Sequence, residues 1–174
     1  MVARTAAGPG DAPILGRFRV CGVVQAGSFG RVVEVFDVEA GATRALKVVP
    51  RGPHELALLD EFAQLARLCH PSLPRVFEVG RTREPIAGLE PGAPYMVAEW
   101  IAGTRADARP PDARGQHTWA LLADLAGALA TIHAAGIVHA DVAPQNVLVT
   151  DDGHHVLVDL GLAGATGGRA RGTP

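Results

Sequence analysis

Apolar and polar residues alternate through the first fifty positions in a way that predicts strands. Phe18 to Val24 and Arg31 to Val38 are rich in β-branched and aromatic residues, and Gln25-Ala26-Gly27-Ser28-Phe29-Gly30 separates them. This reads as strand, glycine turn, strand. Gly41 punctuates, and Thr43 to Val49 reads as a third strand. From Pro53 the period changes. Leu56, Leu59, Phe62, Leu65 and Leu68 recur at three-residue steps, which predicts an amphipathic helix reaching Cys69. Pro53 suits its first turn and Pro71 closes it. Val76 to Gly80 and Tyr95 to Ile101 read as two further strands, with a long turn over residues 83–94 between them.

Residues 103–116 are polar with adjacent prolines, which predicts a linker. Thr118 then offers an N-cap, and Leu121, Leu122, Leu125, Leu129 and Ile132 mark one helix face. Gly136 fits the C-cap. Val147 to Val149 and His155 to Val158 flank Asp151-Asp152-Gly153 as a hairpin, and residues 164–174 lack any packing pattern. The expected organisation is a flexible arm (1–13), a β-rich lobe (14–101), a linker (102–117), and a helix with a hairpin (118–174). This is an α+β, two-lobed chain without internal repeats.

Composition removes several function classes. The 174 residues carry Lys+Arg 16 against Asp+Glu 18, a net charge of −2, so the basic excess needed for a nucleic-acid partner is absent. Hydrophobic residues at 48% with 20% charged are globular rather than disordered composition. Cys21 and Cys69 make neither a disulfide framework nor a zinc site and read as two small buried hydrophobes. The N-terminus has no apolar core of signal-peptide length. Trp119 to Val138 is long enough to span a membrane, but Asp124 and His133 inside it favour a buried helix without a membrane span. The expected location is the cytoplasm.

The basic residues divide into 15 Arg and one Lys, Lys47, and there is one Asn, Asn146. An ammonium and a guanidinium do different chemistry, so a lysine kept against such a bias draws attention. Lys47 lies in the apolar strand segment Ala45-Leu46-Lys47-Val48, where it must face outward or find a partner. Glu61 on the following helix is a candidate partner that would fix the ammonium for phosphate binding. Gly27 and Gly30 could let the backbone approach a phosphate, although a plain hairpin turn explains them as well. His139-Ala140-Asp141-Val142-Ala143-Pro144-Gln145-Asn146 is followed thirteen residues later by Asp159 in Val158-Asp159-Leu160-Gly161. Two carboxylates and an amide on loops suit Mg²⁺ held partly by substrate phosphates, with Asp141 placed to accept a hydroxyl proton.

Taken together, these segments resemble the eukaryotic-type protein kinases from about Phe18 to Pro174. The resemblance implies a two-lobed fold with a complete β-rich N-lobe and part of the helical C-lobe. It implies transfer of the ATP γ-phosphoryl group, with Mg²⁺, to Ser or Thr hydroxyls of protein substrates. Gly27, Phe29, Gly30 and Val32 correspond to the glycine loop, Lys47 to the strand lysine and Glu61, counted back from His70-Pro71, to its ion-pair partner. Met96 to Ile101 resembles the hinge, so the Glu99 carbonyl and the Ile101 N–H are expected to face adenine, with Ala45, Ala98 and Leu148 around it. His139-Ala140-Asp141 stands for the catalytic loop with Asp141 as base. Asn146 and Asp159 stand for the metal ligands, and Gly172-Thr173-Pro174 for the end of the activation segment.

The departures shape the expectation. Gln25 replaces the first glycine of the loop. Ala140 replaces an arginine, removing the cation that would pair with a phosphate on Thr166 or Thr173. Ala143 replaces a lysine that steadies the transferred phosphate in Ser/Thr-specific members. No counterpart of the Ala-Pro-Glu motif follows, so the resemblance implies a C-terminally truncated domain with impaired turnover. The rivals are a nucleotide-binding pseudokinase fragment and a small-molecule, aminoglycoside-type phosphotransferase. Oligomeric state is not legible.

Overall fold

In the computed structural model, which describes residues 13–26, 30–109, 116–160 and 164–165, the β-branched runs form strands whose alternation sets two faces. Gly27, Phe29, Gly161, Thr166 and Gly172-Thr173-Pro174, all assigned places above, lie outside the described residues, as does most of the expected arm. The chain groups into two units: Met1–Phe62 with Val76–Trp100, and Ala63–Arg75 with Ile101–Pro174.

The first unit holds β1 (Phe18–Ala26), β2 (Arg31–Asp37), β3 (Ala42–Val48), most of α1 (Pro53–Leu65), β4 (Val76–Arg81) and β5 (Pro94–Glu99). The strands form one antiparallel sheet in the order β1-β2-β3-β5-β4. On one face Phe18, Val33, Val35, Leu46, Val48 and Val97 pack with Ile86 and Ala93 from the β4–β5 connection. On the other, Met96 packs with Val49 and with Leu58 of α1. Arg17 closes the open end of the first face. Its guanidinium donates to both Asp37 oxygens (Nε–Oδ1 2.7 Å, Nη2–Oδ2 2.6 Å) and to Glu78 Oε2 at 2.8 Å. Asp37 is fully buried and also accepts the backbone N–H groups of Glu39 and Ala40, which shapes the β2–β3 turn. Its side-chain bond to Arg17 holds the carboxyl below the usual carboxylate range despite burial. Tyr95 donates to Glu78 Oε1 at 2.6 Å; burial first, then that bond, push its hydroxyl up to about 12.

α1 stops at Leu65, short of Cys69, and its buried side is not the leucine repeat. Leu56 is 63% exposed, Leu59 39%, Phe62 is half-buried and Leu65 is 2% exposed. A strict three-residue step falls short of a full helical turn by about 60° each time, so the row winds from the outside to the inside. The inward residues are Leu58, Glu61 and Leu65.

The second unit contains β6 (Gly103–Arg105), α2 (Gln116–Ala134), β7 (Ile137–Val138), β8 (Val147–Thr150), β9 (His155–Leu157) and β10 (Gly164–Ala165). The hairpin β8–β9 turns at Gly153 with φ +87°, and Gly136 ends α2 with φ +75° and its N–H on the His133 carbonyl. Three expectations are corrected. The segment read as linker carries β6, which pairs with β8, because its backbone finds an unpaired strand edge. The segment read as unpatterned tail carries β10, paired with β7. Helix α2 begins at Gln116, so Thr118 lies within its first turn rather than at the cap. The cysteines also differ from expectation: both are free, Cys21 half-buried and Cys69 exposed at the turn beyond α1.

Polar contacts join the pieces of this unit. Asp124 on α2 accepts the His155 backbone N–H at 3.0 Å and its Nδ1 at 2.8 Å, with the His155 ring buried. The Leu157 N–H reaches the Ser72 carbonyl at 2.9 Å. His70 accepts the Ser72 N–H, and its ring lies so close to Gly127 that a Cβ there would sit 2.9 Å from Nε2. Among the described residues no helix is long and apolar enough to cross a membrane.

Asp37→Asn should cost about 1–3 kcal/mol at neutral pH, the range for breaking a buried charged hydrogen bond. A carboxyl with a depressed folded pKa contributes stability above its unfolded value, about 3.9, and loses it as pH falls through the folded value. Urea unfolding of both proteins across pH should therefore show the difference shrinking below about pH 4.

Candidate active site

In the first unit, register places a row of site candidates on one sheet face. Val32 is opposite Lys47, Ala45 is opposite Ala98, and Lys47 is opposite Met96. With a period of two, Val32, Ala45, Lys47, Met96 and Ala98 all point to the α1 side. Two alanines side by side leave a shallow apolar floor there. Lys47 Nζ lies 2.6 Å from Glu61 Oε2, with side chains 15% and 4% exposed. A buried ammonium without a partner would be costly, and the Glu61 carboxylate removes that cost while leaving the lysine tip partly accessible.

Gly30 lies over the end of β3: a Cβ at this position would sit 2.4 Å from the Val48 carbonyl oxygen. Only glycine fits. Glu99 ends β5, opposite Arg44. Ile101 follows beyond the strand, half-buried, at the start of the second unit, so the strand expected to reach it ends two residues earlier.

In the second unit, the segment after β7 folds around Asp141. The Asp141 N–H donates to His139 Nδ1 at 3.3 Å. Asn146, only 8% exposed on the short 3-10 turn Pro144–Asn146, donates through Nδ2 to the Asp141 carbonyl at 2.9 Å and to Asp141 Oδ2 at 2.8 Å. The amide nitrogen is thus committed to Asp141, and Oδ1 is left for an electropositive group. The amide orientation is assigned from these bonds. The Val158 N–H donates to the Asn146 carbonyl at 2.8 Å, tying this turn to the strand that leads to Asp159. Asp159 is half-buried at φ +66° and Ala140 is at φ +63°, both left-handed. Leu148 is half-buried on β8 between buried Val147 and Val149.

His139 is 1% exposed. Burial pushes its imidazole below the usual pKa, against the pull of the Val158 backbone, Asp141 and Asp159. The neutral ring accepts at Nδ1, so its proton lies on Nε2. Sequence reasoning missed both the burial of this histidine and the clamp of Asn146 on Asp141. The signal available was the pattern His-x-Asp with Asn five residues on, which reports spacing but not which atoms meet.

The pattern of the protein kinase domain matches residues 18–171, and the chain belongs to this family. Similar proteins agree. A probable serine/threonine-protein kinase, pknA2 of Bifidobacterium longum, is 29% identical over 164 residues, covering 87% of this chain and 20% of that protein. The rice CBL-interacting protein kinase 4 is 33% identical over 165 residues, covering 87% and 34%. The serine/threonine-protein kinase PknA of Mycobacterium tuberculosis is 30% identical over 158 residues, covering 86% and 36%. The chain therefore spans from a fifth to just over a third of these relatives. The five-stranded sheet with its helix is the kinase-like α+β arrangement.

Two outcomes test the loop. Ala140→Gly should stabilise the protein by up to ~1 kcal/mol, since an L-residue in the left-handed region is strained, and thermal unfolding would read it. A histidine with a depressed folded pKa costs stability as pH falls below its unfolded value of about 6.5. Wild-type stability should therefore decline below that pH, and a His139→Gln variant should show a flatter profile.

Proposed function

We propose that the chain is the nucleotide-binding and catalytic-loop part of a serine/threonine protein kinase. The single observation that carries the reading is the buried Lys47–Glu61 pair at 2.6 Å, made by the only lysine in the sequence. Its natural ligand would be a phosphate group, since a lysine ammonium held in place by a carboxylate is a fixed point charge suited to phosphate oxygens. The first unit would then be the N-lobe, with Ala45 and Ala98 under the adenine, the Glu99 carbonyl at its edge, and Gly27, Phe29, Gly30 and Val32 along the phosphates.

The donor set of the second unit fits magnesium. Asn146 Oδ1 and the Asp159 carboxylate are hard oxygen ligands. Among the described residues no group of three or more His, Cys, Asp or Glu side chains gathers as a metal cage. Mg²⁺ commonly takes one or two carboxylates and completes its shell with substrate phosphates and water. When bound, Mg·ATP would supply the phosphoryl group.

Within the chain, Asn146 orients Asp141, and Asp141 would accept the proton of the attacking Ser or Thr hydroxyl. An ATP donor agrees with work in the cytoplasm. A second reading, nucleotide binding without turnover, is favoured by Ala143, a methyl where Ser/Thr-specific kinases place a phosphate-steadying lysine.

A titration with Mg·ATP and a phosphoryl-transfer assay on a protein substrate separate the two. Lys47→Met should abolish saturable ATP binding and, because it leaves the Glu61 carboxylate buried without the Lys47 ammonium, should also lower stability by about 3–5 kcal/mol, so binding is measured well below the variant's own unfolding temperature. Asp141→Asn should keep ATP affinity and lower turnover about 10²–10⁴-fold, the usual contribution of a general base. Binding without any transfer would favour the second reading, and absence of ATP binding in the wild type would sink both.

A further inference from the structure

Two arginines of the first unit converge where a single carboxylate meets them. Arg81 ends β4, and its guanidinium is held on two sides. Nη1 donates to the Gly92 carbonyl at 3.1 Å, and Nη2 pairs with Glu55 Oε1 in the first turn of α1. Arg51 lies just before that helix, and its side chain covers the same glycine: a Cβ built on Gly92 would sit 3.8 Å from its Cδ and Nη1. Arg51 is exposed and makes no hydrogen bond or ion pair among the described residues. Arg51, Gly52, Glu55, Arg81 and Gly92 line one hollow of about 540 Å³.

The charges of this hollow do not balance. It has two cations and one carboxylate, and the carboxylate is spent on Arg81. Like charges brought to one place repel, and an anion between them removes that cost. Donors remain for it. Arg81 uses one N–H on each of its two terminal nitrogens, so part of its fork is unspent, and Arg51 keeps its whole fork. Guanidinium forks match the oxygens of a phosphate two at a time. Gly52 at φ +121° and Gly92 at φ +83° carry no Cβ, which leaves the backbone side of the hollow open.

We infer that this hollow is a binding site for a phosphate monoester, with Arg51 as its main cation and Arg81 as the second. It shares no residue with the proposed nucleotide site, so it stands apart from that reading. Inorganic phosphate and a phosphoserine peptide are titrated into wild type, Arg51→Met and Glu55→Gln, following the Gly52 and Gly92 backbone amides by NMR. Both amides should shift saturably in the wild type. Arg51→Met should weaken binding about fivefold, and its thermal unfolding should match wild type because Arg51 has no partner to lose. Glu55→Gln removes the competing carboxylate and should strengthen binding about twofold. Tighter binding of the phosphoserine peptide identifies a phosphorylated protein as the source of the group, and equal affinity for the two ligands identifies free phosphate. Amides that stay still, an affinity untouched by Arg51→Met, or one lowered by Glu55→Gln, overturns the site.

Discussion

The rest of the first unit is arranged around one constraint, a lysine ammonium set in an apolar sheet. Removing one partner of a buried ion pair costs about 3–5 kcal/mol, even where the pair itself adds little to stability. The Lys47–Glu61 contact therefore dictates the rotation of α1 more strongly than any single leucine can. Turning the helix to bury Leu56 would gain roughly 1.5–3 kcal/mol for that side chain but would pull Glu61 from its partner. The observed exposure of Leu56, at 63%, is the consequence.

The second unit solves a related problem with neutral groups. Asp141 stands in a loop without helix or sheet bonds to fix it. His139 takes its N–H from one side, and Asn146 holds its carbonyl and carboxylate from the other. Because His139 is buried and its pKa depressed, it accepts rather than repels the N–H it receives. The Asn146 carbonyl in turn accepts from Val158, so the stretch leading to Asp159 is referenced to the same few atoms.

Much of this was legible in the sequence and some was not, for physical reasons. Strands β2 and β3 showed because they bury alternate residues, Val33 with Val35 and Leu46 with Val48, β5 showed because its apolar run is buried almost throughout, and Gly136 and Gly153 showed because left-handed turns select glycine. The Lys47–Glu61 pair was reachable through the rarity of lysine in the chain. The facing of α1 was misread because a three-residue repeat looks amphipathic over two steps yet winds around the helix over four. β6 was invisible because all three of its residues are exposed, and β10 because a two-residue strand exists only by pairing with a partner distant in sequence. The bond from Arg31 to the Ala87 carbonyl was hidden because a backbone carbonyl has no signature in the one-letter code.

The close approach of His70 to Gly127 bears on how such a chain can change over generations. Glycine in the interior of a helix gives up stability relative to alanine, by roughly 0.5–1 kcal/mol, so drift at position 127 has a thermodynamic slope toward alanine. The ring of His70 blocks that slope, since the added methyl would arrive 2.9 Å from Nε2. Shrinking His70 first gives up the bond from Ser72 and leaves space against α2. Each single step is downhill in stability, while the two together can be neutral, which is the signature of coupled sites. The joint between the 66–75 turn and α2 is thus expected to be inherited as a pair, with lineages carrying glycine and histidine together or neither.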